Sequence, residues 1–230
     1  MDTDCSPTVS LTDLTYRYDP ADPDSQVLNS ISLNLRRGEL IILTGASGSG
    51  KTTLLTLIGG LRSGATGRLE VLGNDLISAT IADMLDLRRQ VGFIFQSHNL
   101  LPYLTASENI QIGLEIHDSW RRKGITEMQD RCIDLLRLLE LESKASFKPK
   151  NLSLGQKQRI SIARAIANSP DLILADEPTA SLDKESARIA VTLLKDLTRL
   201  NQTTVLVVTH DHKIIDYADR VVNLENGIIS

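Results

Sequence analysis

A glycine-rich stretch early in the chain has the composition of a phosphate-binding loop. Gly45-Ala46-Ser47-Gly48-Ser49-Gly50-Lys51-Thr52 matches the pattern G-x-x-x-x-G-K-[ST]. Glycines let backbone N–H groups converge on phosphate oxygens, and the N-terminus of a following helix adds positive potential there. In such loops the lysine, here Lys51, reaches the β- and γ-phosphates, and the Thr52 hydroxyl binds Mg²⁺. The motif therefore predicts a site for a nucleoside triphosphate.

Two adjacent carboxylates follow a second apolar run. Asp176 and Glu177 come directly after residues 172–175, which read Leu-Ile-Leu-Ala. The carboxyl ends of parallel strands are where α/β proteins bind ligands. An aspartate there suits a Mg²⁺ position, and Glu177 is placed to accept a proton from an attacking water or to orient it. The pair predicts a metal-assisted hydrolytic site.

Short apolar runs predict the strands that must hold these residues. Residues 39–44 lead into the glycine loop and predict a buried central strand, with a helix following over residues 51–61. Residues 91–95, 172–175 and 205–208 predict further core strands. Alternating residues 11–18 and 31–35 predict antiparallel strands, and Asn226-Gly227 predicts a hairpin turn.

The stretch between Gln96 and Ala167 has a different pattern. Leucines recur at helical spacing with charges between them, at positions 135, 136, 138, 139 and 141. We therefore predict an α/β fold with a mostly parallel core sheet, an antiparallel part and a helical lobe at roughly 97–167. Residues 1–230 are interpreted as a single nucleotide-binding domain.

Composition narrows the class of partner. The 230 residues carry a formal net charge of −4, and no basic stripe indicates a nucleic-acid interface. Cys5 and Cys132 are far apart and give no disulfide framework. The acidic start lacks the apolar region of a signal peptide, and no 18 apolar residues run together. Any membrane-spanning part is therefore expected from another polypeptide.

A third motif connects these observations to a known family. Leu152-Ser153-Leu154-Gly155-Gln156 differs at one residue from the signature LSGGQ of ATP-binding-cassette (ABC) proteins. The phosphate loop, this signature and the acidic pair occur in the family's order, so the chain resembles an ABC ATPase over nearly its whole length.

The resemblance implies the roles of individual residues. Tyr18 would stack on adenine, Gln96 would touch Mg²⁺ and the attacking water, and His210 would contact the γ-phosphate. The remaining implied nucleotide contacts are Gly45, Ser47, Gly48, Ser49, Gly50, Lys51, Thr52 and Thr53, with Thr52, Gln96 and Asp176 at the metal and Glu177 as the catalytic base. Ser153, Gly155 and Gln156 would bind the ATP of a second copy, and Asp183 would lie at the dimer interface.

The same resemblance implies cofactors and partners. ATP and Mg²⁺ are expected, with ATP-dependent head-to-tail dimerisation of two copies. Residues 54–63 and 96–109 are similar to the branch that includes the ATPases of the DevBCA glycolipid, MacB macrolide and LolCDE lipoprotein systems. That branch implies a permease with a periplasmic adaptor, and a place at the cytoplasmic face of the inner membrane. The apolar cluster at residues 100–104 would meet the membrane subunit.

Several alternatives stay open on sequence alone. Tyr16 competes with Tyr18 for the adenine, and His210 or Gln96 taken singly also fits an ordinary strand-end residue. A cell-division ATPase of the same branch is a second function, and a P-loop small-molecule kinase is a third that the signature loop disfavours. Since Leu154 replaces a glycine, we predict a negative φ there and a side chain directed away from the face that Ser153 presents.

Overall fold

The computed structural model describes residues 6–229. Its strands are β1 (Val9–Arg17), β2 (Gln26–Leu35), β3 (Leu40–Thr44), β4 (Thr66–Val71), β5 (Asn74–Asp75), β6 (Val91–Ile94), β7 (Leu172–Asp176), β8 (Thr204–Val208), β9 (Arg220–Glu225) and β10 (Ile228–Ile229). Its helices are α1 (Lys51–Ile58), α2 (Ile81–Gln90), α3 (Ala106–Glu115), α4 (Asp118–Lys123), α5 (Ile125–Leu138), α6 (Leu154–Ile166) and α7 (Lys184–Asn201). Short 3₁₀ turns cover Pro23–Ser25, Glu142–Lys144, Pro149–Asn151 and His212–Tyr217.

The central sheet has the strand order β10-β9-β3-β8-β7-β6. Its inner pairs, β9 with β3, β3 with β8, β8 with β7 and β7 with β6, are all parallel, whereas β10 is antiparallel to its neighbour. Parallel strands end at the same edge, so the segments that follow β3, β6, β7 and β8 converge there.

The central sheet is buried on both faces. Leu40 and Ile42 of β3 pack into one core with α3, α5, α6 and α7, while Ile41 and Leu43 pack into another with α1 and the second sheet. Burial on both sides explains why this strand reads as an unbroken apolar run instead of an alternating one.

A second, antiparallel sheet has the order β2-β1-β4-β5. Alternation in β1 follows from its one buried face: Leu11, Leu14 and Tyr16 lie in the core, and the residues between them are more exposed. Tyr18 comes just after this strand ends.

Helices α3 to α6 lie in sequence between β6 and β7. Two of them begin with a reciprocal capping box, in which the N-cap hydroxyl and the third helical side chain each bond the other's backbone N–H. These boxes pair Thr105 with Glu108 at α3 and Ser153 with Gln156 at α6. The signature sequence therefore starts a helix.

The predicted fold class is confirmed, with boundary differences. Helix α1 ends at Ile58, before the predicted residue 61, because Gly59 and Gly60 follow and Gly60 has φ +63°. The pattern also missed β4, β5, α2 and α7. Cys5 lies outside the described residues, whereas Cys132 is buried as a free thiol. Within residues 6–229, no helix has both the length and the apolar character needed to cross a membrane.

Candidate nucleotide-binding site

A cleft of about 630 Å³ opens at the carboxyl edge of the central sheet. Segments that are far apart in sequence meet in it, because they follow β1, β3, β6, β7 and β8. Its lining consists of Tyr18, Val27, Gly45, Ser47, Gly48, Gly50, Lys51, Thr52, Thr53, Gln96, Asp176, Glu177, Val208 and His210. Most of the site residues predicted for a single copy are thus brought together.

The glycine loop has a backbone that other residues would strain. Gly45 has φ +141°, and a Cβ there would collide with the carbonyl oxygen of Leu224. Gly50 has φ +102° and is the N-cap of α1. The loop therefore turns tightly from β3 into the helix, whose first residues line the cleft.

Lys51 is turned back over its own loop. Its Nζ donates hydrogen bonds to the carbonyl oxygens of Gly45, at 2.8 Å, and Ala46, at 2.6 Å. The ammonium group thereby lies against the loop that, in proteins of this type, binds the phosphates. Ser49 is buried beside it and does not line the cleft.

Thr52 and Asp176 form the oxygen-rich part of the site. The Thr52 hydroxyl donates to Asp176 Oδ2 at 3.0 Å, joining the start of α1 to the end of β7. Burial raises the pKa of the Asp176 carboxyl, the Thr52 hydrogen bond opposes this, and the neighbouring Glu177 charge raises it further. Hydroxyl, carboxylate and the Gln96 amide are the donors that Mg²⁺ prefers, so these residues fit that ion.

Glu177 is held in a strained conformation at the end of β7. Its φ is +50°, and its N–H donates to the Val208 carbonyl oxygen at 2.9 Å. The Thr209 hydroxyl donates to Oε2 at 3.0 Å, and His210 Nδ1 lies 2.7 Å from Oε1. The carboxylate has a partner on both sides, so it is fixed in position as a general base requires.

The two tyrosines have different environments. Tyr16 is 6% exposed in the core of the antiparallel sheet, whereas Tyr18 is 55% exposed and lines the cleft. The Tyr18 hydroxyl lies 2.9 Å from Thr53 Oγ1, which connects it to α1. The geometry favours Tyr18 over Tyr16 as the ring that faces a base.

The signature residues are not part of this cleft. Ser153 caps α6 by accepting from the Gln156 N–H at 3.2 Å, and Leu154, in the first turn, is 61% exposed. Leu154 does not have a positive φ, so the prediction of a negative φ is confirmed. Asp183 caps α7 by accepting from the Ser186 N–H at 2.9 Å. Ser153, Gly155, Gln156 and Asp183 do not line the cleft of their own chain.

Sequence reasoning missed some residues that shape the site. Thr209 orients Glu177. The only feature of the sequence that pointed to Thr209 was its position next to His210. Arg164 of α6 donates to the carbonyl oxygens of Asn99, at 2.7 Å, and His98, at 2.8 Å. It thereby connects the segment after Gln96 to the helix that starts at the signature; no local pattern indicates such a distant contact.

Comparison with known proteins decides the family. The family pattern described as "ABC transporter" matches residues 28–180. The chain belongs to the ABC transporter family. It is 40% identical to the macrolide export ATP-binding/permease protein MacB of Pasteurella multocida over 97% of this chain, which spans only 34% of the length of MacB.

Two further relatives are closer to this chain in length. It is 42% identical to the lipoprotein-releasing system ATP-binding protein LolD 1 of Chlorobium chlorochromatii, over 89% of this chain and 82% of that one. It is also 42% identical to the putative hemin import ATP-binding protein HrtA of Staphylococcus aureus, over 95% and 97%.

Solved structures agree with the fold. The dimeric ATP-binding cassette MJ0796 in a post-hydrolysis state, bound to ADP and Pi, superimposes with a TM-score of 0.88 at 35% identity, over 96% of both chains. The predicted family, its fold and its resemblance to the MacB and LolD branch are confirmed. ATP hydrolysis is the activity of this family, so the predicted enzyme class is confirmed as well.

Proposed function

We propose that residues 1–230 act as one ATP-binding and ATP-hydrolysing unit that powers a membrane permease. The observation that carries the proposal is the cleft in which Lys51, Thr52, Asp176, Glu177 and His210 converge. Lysine and helix N-terminus for phosphate, oxygen donors for Mg²⁺ and a fixed carboxylate together are the requirements of phosphoanhydride hydrolysis.

Each group in the cleft has a specific task. Lys51 and the loop N–H groups bind the phosphates, and Tyr18 stacks on the adenine. Thr52, Asp176 and Gln96 would hold Mg²⁺, which when bound neutralises developing charge on the phosphate oxygens. Glu177 orients the attacking water and accepts its proton, and His210 keeps that carboxylate in place while reaching toward the γ-phosphate.

The signature residues serve the other copy in a head-to-tail dimer. Ser153 presents its hydroxyl and the α6 N-terminus on the surface, where they can bind a phosphate only if it comes from another molecule. Asp183 lies at the same interface. The dimeric MJ0796 cassette is similar to this chain over almost its full length, which supports the arrangement.

The exporter branch is the most specific part of the proposal. Its support is the identity with MacB and LolD, whose names place them in macrolide export and lipoprotein release. We propose a permease partner, with a periplasmic adaptor and a lipid or other hydrophobic cargo, at the cytoplasmic face of the inner membrane. Leu101 is half exposed and Tyr103 is 84% exposed, and we assign residues 100–104 to permease docking.

The test of the ATP-driven dimer uses Glu177→Gln. This variant keeps the phosphate and metal groups but lacks the base, so ATP should bind without being consumed. We expect a dimer by light scattering with ATP and Mg²⁺, and a monomer with ADP. A monomer under both conditions at high protein concentration would reject the shared site. Pull-down of the permease from membranes tests the partner separately.

A further inference from the structure

An arginine lies against the ring that we assign to the adenine. The guanidinium carbon of Arg62 is 4.8 Å from the centroid of the Tyr18 ring and 5.6 Å from that of Tyr16. Both distances are within the range of a cation–π contact. Tyr18 lines the cleft, whereas Arg62 is not among the residues that line it.

Arg62 is hydrogen-bonded to the buried Tyr16. Arg62 Nη1 donates to the Tyr16 hydroxyl at 3.1 Å, and this hydrogen bond raises the pKa of Arg62 although partial burial opposes it. The rings of Tyr16 and Tyr18 also meet edge to face, with centroids 5.4 Å apart. The exposed ring is thus supported by two neighbours and hydrogen-bonded to Thr53.

The position of Arg62 in the chain gives this contact a use. Helix α1 begins at Lys51, and Arg62 follows its C-terminal end after Gly59 and Gly60. The short segment that begins with the phosphate loop therefore also carries the arginine that contacts the Tyr18 ring. Contacts with Arg62 and Thr53 order that ring without nucleotide, which lowers the entropic cost of ordering it on binding.

We propose that Arg62 is a positioning residue for the base of the nucleotide: its guanidinium holds the Tyr18 ring for stacking. A cation against the ring also draws electron density from it, which favours contact with an electron-rich base such as adenine. This inference rests on the proposed stacking role of Tyr18.

The experiment compares ligands with and without a base. Titration calorimetry would measure MgADP and inorganic tripolyphosphate on the full chain and on Arg62→Met, which keeps an apolar stem but removes the charge. We expect about two- to fivefold weaker MgADP binding, the size of an exposed cation–π contact, and unchanged tripolyphosphate binding. The MgADP affinity of Arg62→Lys should lie between those of the parent chain and Arg62→Met. Arg137→Met is the control, since Arg137 lies on α5 and pairs with Asp134 and Glu142.

A double-mutant cycle separates this inference from the proposed function. In a Tyr18→Ala background, Arg62→Met should cause no further loss of MgADP affinity. Three results would each overturn the role of Arg62 without affecting the assignment of Tyr18. They are unchanged MgADP binding in Arg62→Met, an equal loss of tripolyphosphate binding, and a loss of MgADP affinity that persists in the Tyr18→Ala background. Normal MgADP binding by Tyr18→Ala alone would reject both assignments.

Discussion

The two sets of predicted ATP-binding residues differ in how far a single chain builds them. The cleft set lies at the edge of a sheet buried on both faces, and its side chains already bond to one another: Thr52 to Asp176, and Glu177 to His210. The signature set lies on the surface at the start of α6, where Ser153 and Gln156 bond to each other in their capping box.

Nucleotide binding and turnover therefore make different demands on the chain. The cleft of one chain holds the proposed nucleotide and metal groups, so we expect one chain to suffice for binding. Ser153 and the α6 N-terminus offer a hydroxyl and a helix dipole outside the cleft of their own chain. We therefore expect binding to depend on the cleft, and turnover to depend on both sets.

Removing the base should have the largest effect. Glu177→Gln should lower ATP turnover by about 10²- to 10⁴-fold, the usual contribution of a positioned base, and leave ATP affinity unchanged. Phosphate release and titration calorimetry measure the two quantities. Turnover near the parent level would show that Glu177 is not the catalytic base.

Lys51→Ala should act on binding itself. The positive charge near the β- and γ-phosphates is lost, together with charge-assisted hydrogen bonds worth about 1.5–3 kcal/mol each. We expect ATP affinity to fall by at least tenfold in calorimetric titrations, with Lys150→Ala, on the surface before the signature, as the matched control. Equal affinity in both variants would contradict the assignment of the phosphate loop.

Tyr18→Ala should weaken ATP binding by roughly the stacking energy, about 1–3 kcal/mol by analogy with nucleic-acid bases. Tyr16→Phe keeps the buried ring and removes only the hydroxyl that Arg62 contacts, so it should cause a smaller loss than Tyr18→Ala. A larger loss at Tyr16 than at Tyr18 would mean that the base contacts a different ring.

Leu154→Gly should have the smallest effect. Leu154 has a negative φ and its side chain is mostly exposed. The backbone conformation at this position therefore does not need the glycine of the family pattern. We expect ATPase activity within about twofold of the parent, and a slight loss of helix stability, since glycine costs up to about 1 kcal/mol in a helix. A large gain in activity would show that Leu154 obstructs the composite site.

Much of the fold was predictable because its signals are local. The apolar runs of β3, β7 and β8 and the glycine loop before α1 each carry their structure in neighbouring residues. Helix α7 was not predicted, although Asp183 is a suitable N-cap at its start, because the family resemblance assigns Asp183 to the dimer interface and carries no signal for the helix that follows.

The site was predictable only as far as motifs reach. The order of the motifs predicted that the phosphate loop and Asp176 belong to one site. In the structure, Thr52 of that loop bonds to Asp176 although 124 positions separate the two residues. The contacts of Arg62 with Tyr18 and of Arg164 with the segment after Gln96 join distant parts of the chain through tertiary packing. No period or spacing in one sequence encodes such pairs.

The most direct test of the division between the cleft and the signature is a second substitution in the Glu177→Gln chain. Ser153→Glu places a carboxylate where the partner's γ-phosphate would approach, so repulsion should block the dimer. Light scattering with ATP and Mg²⁺ should give a dimer for Glu177→Gln and a monomer for Glu177→Gln/Ser153→Glu. Calorimetry with MgADP, with which both variants are expected to stay monomeric, should give equal affinities. A dimer that persists in the double variant, or a monomer that no longer binds nucleotide, would contradict that division.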